Sequence, residues 1–455
     1  MSKPPASQTT LLGSGFDEID ASIVEYVRSV DGLVSAGDIH EYLGRVGRGV
    51  SNATLARRME QLIAERHVVR EGRARATRYR WDPFHDYFSV PPNRRTKVGY
   101  KAEALADYVP NETNWLSPEE RERLALAGGG RRLDASTYSR AIAQKLLVDL
   151  SYASSALEGN TYTYLDTQVL IEFGQVAEGK ARDETVMILN HKEAITYLID
   201  NIMDIQVSPR EIKTFHALLS RGLSNMDPRD VGAIRSIPID GIGGSAYVPL
   251  VLPQRIEEEL EKIARKAIQI EDPHEQSLFL MTFISYLQAF RDVNKRTARL
   301  VCNVPLLQQG LAPLSFMDMD RADYVRGLLA FYELNRFDLI KDAYVDAYVK
   351  SAARYDAYVE RPKEVVEIEF RRRNDIFDCV RAFVVSVGRG EAPGTPEEFA
   401  LAHFNDDDAE TRNLLAGRIA EIVESLSDGN HIAYGIPRDE FRAYEEHLAA
   451  TNPKP

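Results

Sequence analysis

Cysteine is nearly absent: 455 residues carry two, Cys302 and Cys379, neither with a CxxC partner. That excludes a disulfide framework and a cysteine zinc site, and it fits a reducing compartment, the cytoplasm. Long hydrophobic runs are missing too. None reaches the roughly 18–20 residues that cross a bilayer, so no membrane association is expected. The opening stretch, MSKPPASQTTLLGSG, has no apolar core of the secretory kind and reads as a disordered lead-in over residues 1–15. Positive charge is short overall, at a net −13, so the chain as a whole does not attract polyanions. The shortage is uneven. Between Arg45 and Arg80 ten arginines face three glutamates, a local +7, and one such patch can hold a polyanion that the whole chain repels. What is present is ordinary: 44% hydrophobic and 27% charged residues, enough for a normal core and, at about 100–200 residues per domain, for two to four domains.

Residues 16–83 read as one unit. Ile19, Ile23, Val24 and Val27 have amphipathic helical spacing. A second helix is expected from about Ser35 to Leu43, and a third from Ser51 with Leu55, Met59, Leu62 and Ile63 inward. HVVREGRARATRYRW then reads as strands Val68–Arg70 and Thr77–Trp81 around a glycine turn. Helix, helix, helix, hairpin is the order of a winged helix-turn-helix. Residues 84–130, rich in proline, glycine and charge, are expected to form an extended arm. Residues 131–355 carry strong helical patterns, broken by SIPIDGIGGSAYVPL (236–250), which reads as a hairpin or flap. Residues 356–455 read as a further helical module without readable chemistry; its His403, His431 and His447 lack ligand-like spacing. The fold expected is therefore mainly α.

The informative stretch is QAFRDVNKRTAR, Gln288–Arg299. An apolar helix ends near Leu287, a polar loop follows, and a new helix begins with Lys295, Arg296 and Arg299 in its first turns. A helix N-terminus offers free N–H groups and the positive end of a dipole, a site for an anion. Arg296 and Arg299, three apart, share a face, and two guanidinium forks there suit a di- or triphosphate. Asp292 is placed to hold a magnesium ion bridging phosphate oxygens. The same residues also suit a solvated helix start with a basic first turn, which the dipole disfavours.

This stretch resembles the signature HPFxDGNGRxxR of the Fic family, in the variant with NKR for NGR that is also seen in the Doc branch. Phe290, Asp292, Asn294, Lys295, Arg296 and Arg299 match; Gln288 stands where the family has histidine, Ala289 where it has proline and Val293 where it usually has glycine. Three other segments agree in order. SSALEGN is similar to the inhibitory motif [ST]xxxE[GN], with Ser154 and Glu158 in place; GAIRSIPI with GSAYVP looks like the flap that docks protein targets; residues 324–355 resemble the closing helices. The resemblance covers roughly residues 85–355. It implies a Fic-type helical domain with a small β-hairpin flap, flanked by the winged helix and the C-terminal module.

Fic enzymes transfer AMP from ATP to a Tyr, Ser or Thr hydroxyl, the motif histidine acting as general base. Carried over, Asp292 holds Mg²⁺, Asn294 lines the anion hole, Lys295 crowds the γ-phosphate, Arg296 and Arg299 contact phosphates, and Glu158 pairs with Arg299 to inhibit. At the position of the base, Gln288 has no useful proton affinity, and a positioned base is worth about 10²–10⁴ in rate. Val293, β-branched, is expected to keep the loop out of the left-handed conformation open to glycine. His216 and His274, the histidines nearest the motif, are expected to be structural or exposed. The function implied is a nucleotide-responsive pseudoenzyme or impaired AMP transferase; an active adenylyl- or phosphotransferase and a scaffold binding neither ligand are the alternatives. In the winged helix, Asn52, Arg57 and Arg58 on the third helix and Arg73, Arg75 and Arg78 of the wing are candidate DNA contacts, with a homodimer on a two-fold site, although winged helices also bind proteins.

Overall fold

Capping side chains set where the N-terminal helices begin. Asp17 Oδ1 accepts from the N–H groups of Ile19 (2.9 Å) and Asp20 (3.0 Å) and starts α1 (Glu18–Ser29). Ser35 and Asp38 cap α2 (Ala36–Arg45) reciprocally, and Ser51 Oγ accepts from Thr54 N–H to start α3 (Asn52–Ala64). Strands β1 (Val68–Glu71) and β2 (Arg78–Trp81) pair antiparallel, Val68 opposite Trp81. Ile23, Val27, Ile39, Leu43, Leu55, Met59, Leu62 and Val68 form one apolar cluster beneath them, with Ile63 only partly buried. A short α4 (His85–Ser89) follows. This computed structural model describes residues 17–451 apart from 31, 66, 72–76, 83, 129–137, 240, 360–367, 369–371, 392 and 427–430. The chain divides into two compact units between Arg95 and Thr96.

The second unit opens with β3 (Val98–Gly99), α5 (Ala102–Ala106) and α6 (Pro118–Gly128). A buried carboxylate fastens this arm. Glu275 accepts from the N–H groups of Trp115 (2.9 Å) and Leu116 (3.0 Å) and from the Tyr108 hydroxyl (3.1 Å). Helices α7 (Tyr138–Leu157), α8 (Tyr164–Phe173), α9 (Arg182–Asp200) and α10 (Pro209–Ser220) lead to the short strand β4 (Tyr247–Val248). Then come α11 (Pro253–Ala267), α12 (Pro273–Leu287), α13 (Asn294–Val301), α14 (Asn303–Gln308), α15 (Arg321–Leu334) and α16 (Asp338–Val359). Apolar on every side, α12 is buried from His274 to Leu287 except Gln276 and forms the axis of the unit. The same apolar cluster runs on into the C-terminal helices through Ile376, Val380, Phe383, Leu415, Ile419 and Phe441.

The architecture is mainly α. One local expectation fails: among the described residues, 236–250 forms no hairpin ladder. Instead β4 pairs in parallel with β3 of the arm, Val98 opposite Tyr247. Pro238 and Pro249 lack the N–H groups a hairpin ladder needs, and Arg235 donates to the Leu250 carbonyl. No described helix is long and apolar enough to cross a membrane.

Candidate functional site

Helix α12 ends abruptly. Gln288, its C-cap, takes the left-handed conformation (φ 51°, ψ 51°), and Val293, the N-cap of α13, takes it again (φ 63°, ψ 8°). The expectation that a β-branched residue would keep the loop out of this conformation is thus overturned. Its neighbours over-determine the geometry: Val293 N–H donates to Asp292 Oδ1 (2.6 Å), and its carbonyl accepts from both N–H and Oγ1 of Thr297 (2.9 Å each). Burial of the side chain, 2% exposed, adds to this. Such a residue in this region costs about 1–3 kcal/mol, which these contacts offset.

The loop is closed from inside. Asn294 Nδ2 donates to Phe290 O (2.8 Å), and Phe290 N–H donates to Asn294 Oδ1 (2.9 Å). The side chain of Asn294 is therefore used twice, and its N–H is what remains for a ligand. Beneath, His216 stacks on Phe290 at 3.9 Å between ring centroids. Gly232 N–H donates to its Nδ1 (3.0 Å), so Nε2 carries the proton and donates to Asp292 O (3.2 Å). Burial pushes the His216 pKa down to about 4, and the ring is a neutral prop. His274 is likewise buried. The Gln288 side-chain amide turns inward and donates to Ser285 O (2.7 Å), while Arg235 Nε donates to the Gln288 backbone carbonyl (2.8 Å).

No side chain caps α13, so its first N–H groups are open to an anion. The two arginines on its face differ. Arg299 is fully buried and committed: Nε donates to Ser154 Oγ (2.9 Å), Nη2 to Ser154 O (3.0 Å) and Glu158 Oε1 (2.8 Å), Nη1 to the Tyr324 hydroxyl (3.4 Å). Lys295 Nζ meets the other Glu158 oxygen at 3.2 Å. Burial works to raise the Glu158 carboxyl, but the charges of Arg299, Lys295 and Arg296 prevail and hold it at about 2. Arg296 is 5% exposed; its Nε and Nη1 have no hydrogen-bond partner among the described residues, and Nη2 approaches Asp292 only to 3.6 Å. Burial presses its pKa down. A buried guanidinium short of two partners is costly unless an anion supplies them.

Asp292 Oδ2 accepts from Asn225 Nδ2 (2.9 Å). No group of three His, Cys, Asp or Glu that could hold a metal occurs among the described residues. One half-exposed carboxylate beside an open anion site suits magnesium brought in on phosphates, an ion that binds through one or two carboxylates plus phosphate oxygens. Asn225, Arg235 and His191, which meets Ser154, were not found by sequence reasoning; Arg235 lay within GAIRSIPI, where its arginine was the available signal.

In the first unit Asn52 and Arg57 are exposed on α3. Arg58 points the other way, Nη1 at 2.6 Å from Asp17 and 2.7 Å from Asp20, and its charge is paired at the start of α1. Arg78 donates to Thr77 O (2.9 Å). Arg73 and Arg75 lie outside the described residues.

Residues 206–306 match the sequence profile of the Fic/DOC family. Protein adenylyltransferase fic-1 of Caenorhabditis briggsae is 24% identical over 196 residues, 43% of this chain and 39% of the relative. Protein adenylyltransferase Fic of Nematostella vectensis is 27% identical over 229 residues, 48% and 52% of the two chains. The chain thus spans about half or less of the length of these relatives. Among solved structures, Fic-1 from C. elegans aligns with a TM-score of 0.43 at 23% identity, over 52% of this chain and 69% of that one. A Fic domain containing signaling protein from Bacteroides thetaiotaomicron gives 0.41 at 18%, over 54% and 93%.

Proposed function

Given that this chain carries a Fic/DOC family domain over residues 206–306, we propose that it binds ATP at the N-terminus of α13, held in an inhibited state by Glu158 and strongly impaired in AMP transfer. The observation that carries the reading is Arg296: a buried guanidinium with two unpartnered nitrogens beside an uncapped helix N-terminus. Phosphate oxygens supply those partners. Magnesium, when bound with the nucleotide at Asp292, neutralises phosphate charge. Gln288 is what impairs chemistry, because an amide cannot take the proton of an acceptor hydroxyl. A protein target presenting that hydroxyl docks along 236–250, where Ile237 and Val248 are exposed. The test is calorimetry with ATP and magnesium, with mass analysis of any product. Wild type binds and transfers little or nothing, and Arg296→Ala weakens binding about tenfold or more, the range of a charged hydrogen bond. ATP affinity unchanged in Arg296→Ala, or rapid self-modification by wild type, overturns it.

The exposure of Asn52 and Arg57 on one face of α3, opposite its buried stripe, supports a second role in the same cytoplasmic protein: duplex DNA binding by the first unit, as a homodimer on a two-fold site. In gel shifts with the full chain, Arg57→Ala lowers preference for the best fragment, each lost base contact being worth about 1–3 kcal/mol. No shift beyond that of a charge-matched control protein refutes it.

A further inference from the structure

Behind the ion pair of Glu158 and Arg299 lies a buried histidine with a fixed tautomer. His191, on α9, is 1% exposed. Its Nδ1 lies 2.9 Å from the carbonyl of Met187; a carbonyl only accepts, so Nδ1 bears the proton. Nε2 therefore presents a lone pair, and the Ser154 hydroxyl, 2.9 Å away, donates to it. With its one proton so used, Ser154 Oγ has lone pairs left, and Arg299 Nε donates to one of them. The last turn of α7 tightens at the same place: Glu158 N–H bonds to Ser155 O (3.0 Å), which leaves Ser154 O for Arg299 Nη2 (3.0 Å). Burial foremost, with the cations of Arg296 and Arg299 close by, keeps His191 neutral, its pKa down at about 3, so the relay does not change over the ordinary pH range.

We propose that His191 is a positioning residue of the inhibitory lock: by taking the Ser154 proton it turns the hydroxyl's lone pairs to Arg299, so that Ser154 and Glu158 together withhold that guanidinium from phosphate. This rests on the nucleotide reading above. Without the imidazole, the buried hydroxyl loses its acceptor and its orientation, and Arg299 keeps only the contacts that a bound nucleotide can outbid.

The experiment is ATP calorimetry on the full chain for wild type, His191→Leu, His191→Gln, Ser154→Ala, His191→Leu/Ser154→Ala and Glu158→Gly, with circular dichroism melts showing that each is folded. His191→Leu and Ser154→Ala each tighten ATP about three- to tenfold, the value of one hydrogen bond. The double variant gains no more than either single one, since both act through the same hydroxyl. His191→Gln, whose Oε1 can accept from Ser154, stays within about twofold of wild type. If the double variant gains the product of the singles, or His191→Gln behaves as His191→Leu, the relay is wrong. Should His191→Leu not fold, an unchanged affinity in Ser154→Ala overturns the proposal by itself. Tightening in Glu158→Gly without tightening in His191→Leu sinks this inference alone, whereas absence of ATP binding in both wild type and Glu158→Gly sinks the nucleotide reading beneath it.

Discussion

Replacing Glu158 by glutamine keeps the shape of the side chain and removes the negative charge shared by Arg299 (2.8 Å) and Lys295 (3.2 Å). The native carboxyl titrates at about 2, against about 4.3 in an unfolded chain. That gap of about two units corresponds to about 3 kcal/mol. Because the folded value is the lower one, the stabilisation is complete above about pH 4.3 and drains away as pH falls towards 2; at pH 3 about half remains. At pH 7, Glu158→Gln without nucleotide should therefore be less stable by about 3 kcal/mol, about 4 °C in melting temperature for a unit of this size. Bound ATP should reverse the order. Phosphate oxygens give Arg299 and Lys295 the negative charge they lost, and the variant, with no carboxylate to displace, gains more from the ligand than wild type does. The assay is thermal unfolding of both proteins at pH 7 and pH 3, with and without ATP. A variant as stable as wild type at pH 7, or a deficit that does not narrow at pH 3, refutes the assignment of the ion pair; a deficit that ATP leaves untouched refutes its link to nucleotide.

Gln288→His in a Glu158→Gly background should create AMP transfer, most simply onto the protein itself, which labelled ATP detects; a double variant that binds ATP and labels nothing shows that more than the base is missing. Val293→Gly should cost only about 1 kcal/mol in urea unfolding, because relief of a left-handed valine worth about 1–3 kcal/mol opposes the loss of a buried side chain; a loss of about 3 kcal/mol or more, the ordinary range for a truncated core residue, would show that no strain is stored there.

The helices and the loop between α12 and α13 could be read from local signals: caps at Ser35 and Ser51, an apolar run ending at Leu287, basic residues opening the next helix. What escaped depends on partners far along the chain. Ser154 meets His191 37 residues away, Asp292 meets Asn225 67 away, and Gln288 meets Arg235 53 away; each is a single polar residue with no periodicity to betray it. Val293 departs from its intrinsic φ preference because that preference is a local energy, and buried contacts override it. The flap failed for the same reason: its glycine turn suggested a hairpin, while the strand it contains found its partner in the arm. A charge count places Arg58 in the basic patch because it treats all arginines alike, whereas its pairing with Asp17 and Asp20 reaches back to the start of the first helix.

Arg296 and Arg299 bear differently on the scaffold and binding-site readings. A purely structural ion network pairs its buried charges, and Arg299 conforms, with Nε, Nη1 and Nη2 all donating. Arg296 conforms only in part: it lies one turn nearer the helix N-terminus, in the positive end of the dipole, with Nη2 at 3.6 Å from Asp292 and with Nε and Nη1 lacking a hydrogen-bond partner among the described residues. A cation there is disfavoured by dipole, by desolvation and by Arg299, against which the nearby carboxylates of Asp292 and Glu158 work. All three penalties turn into attraction once an anion arrives. The loop upstream holds a valine in a conformation that costs energy, and the first N–H groups of α13 have no side-chain cap. Under the proposed reading, these donors serve phosphate, while the Gln288 amide, bonded to Ser285 O, takes no proton, and binding without efficient turnover is what that reading predicts.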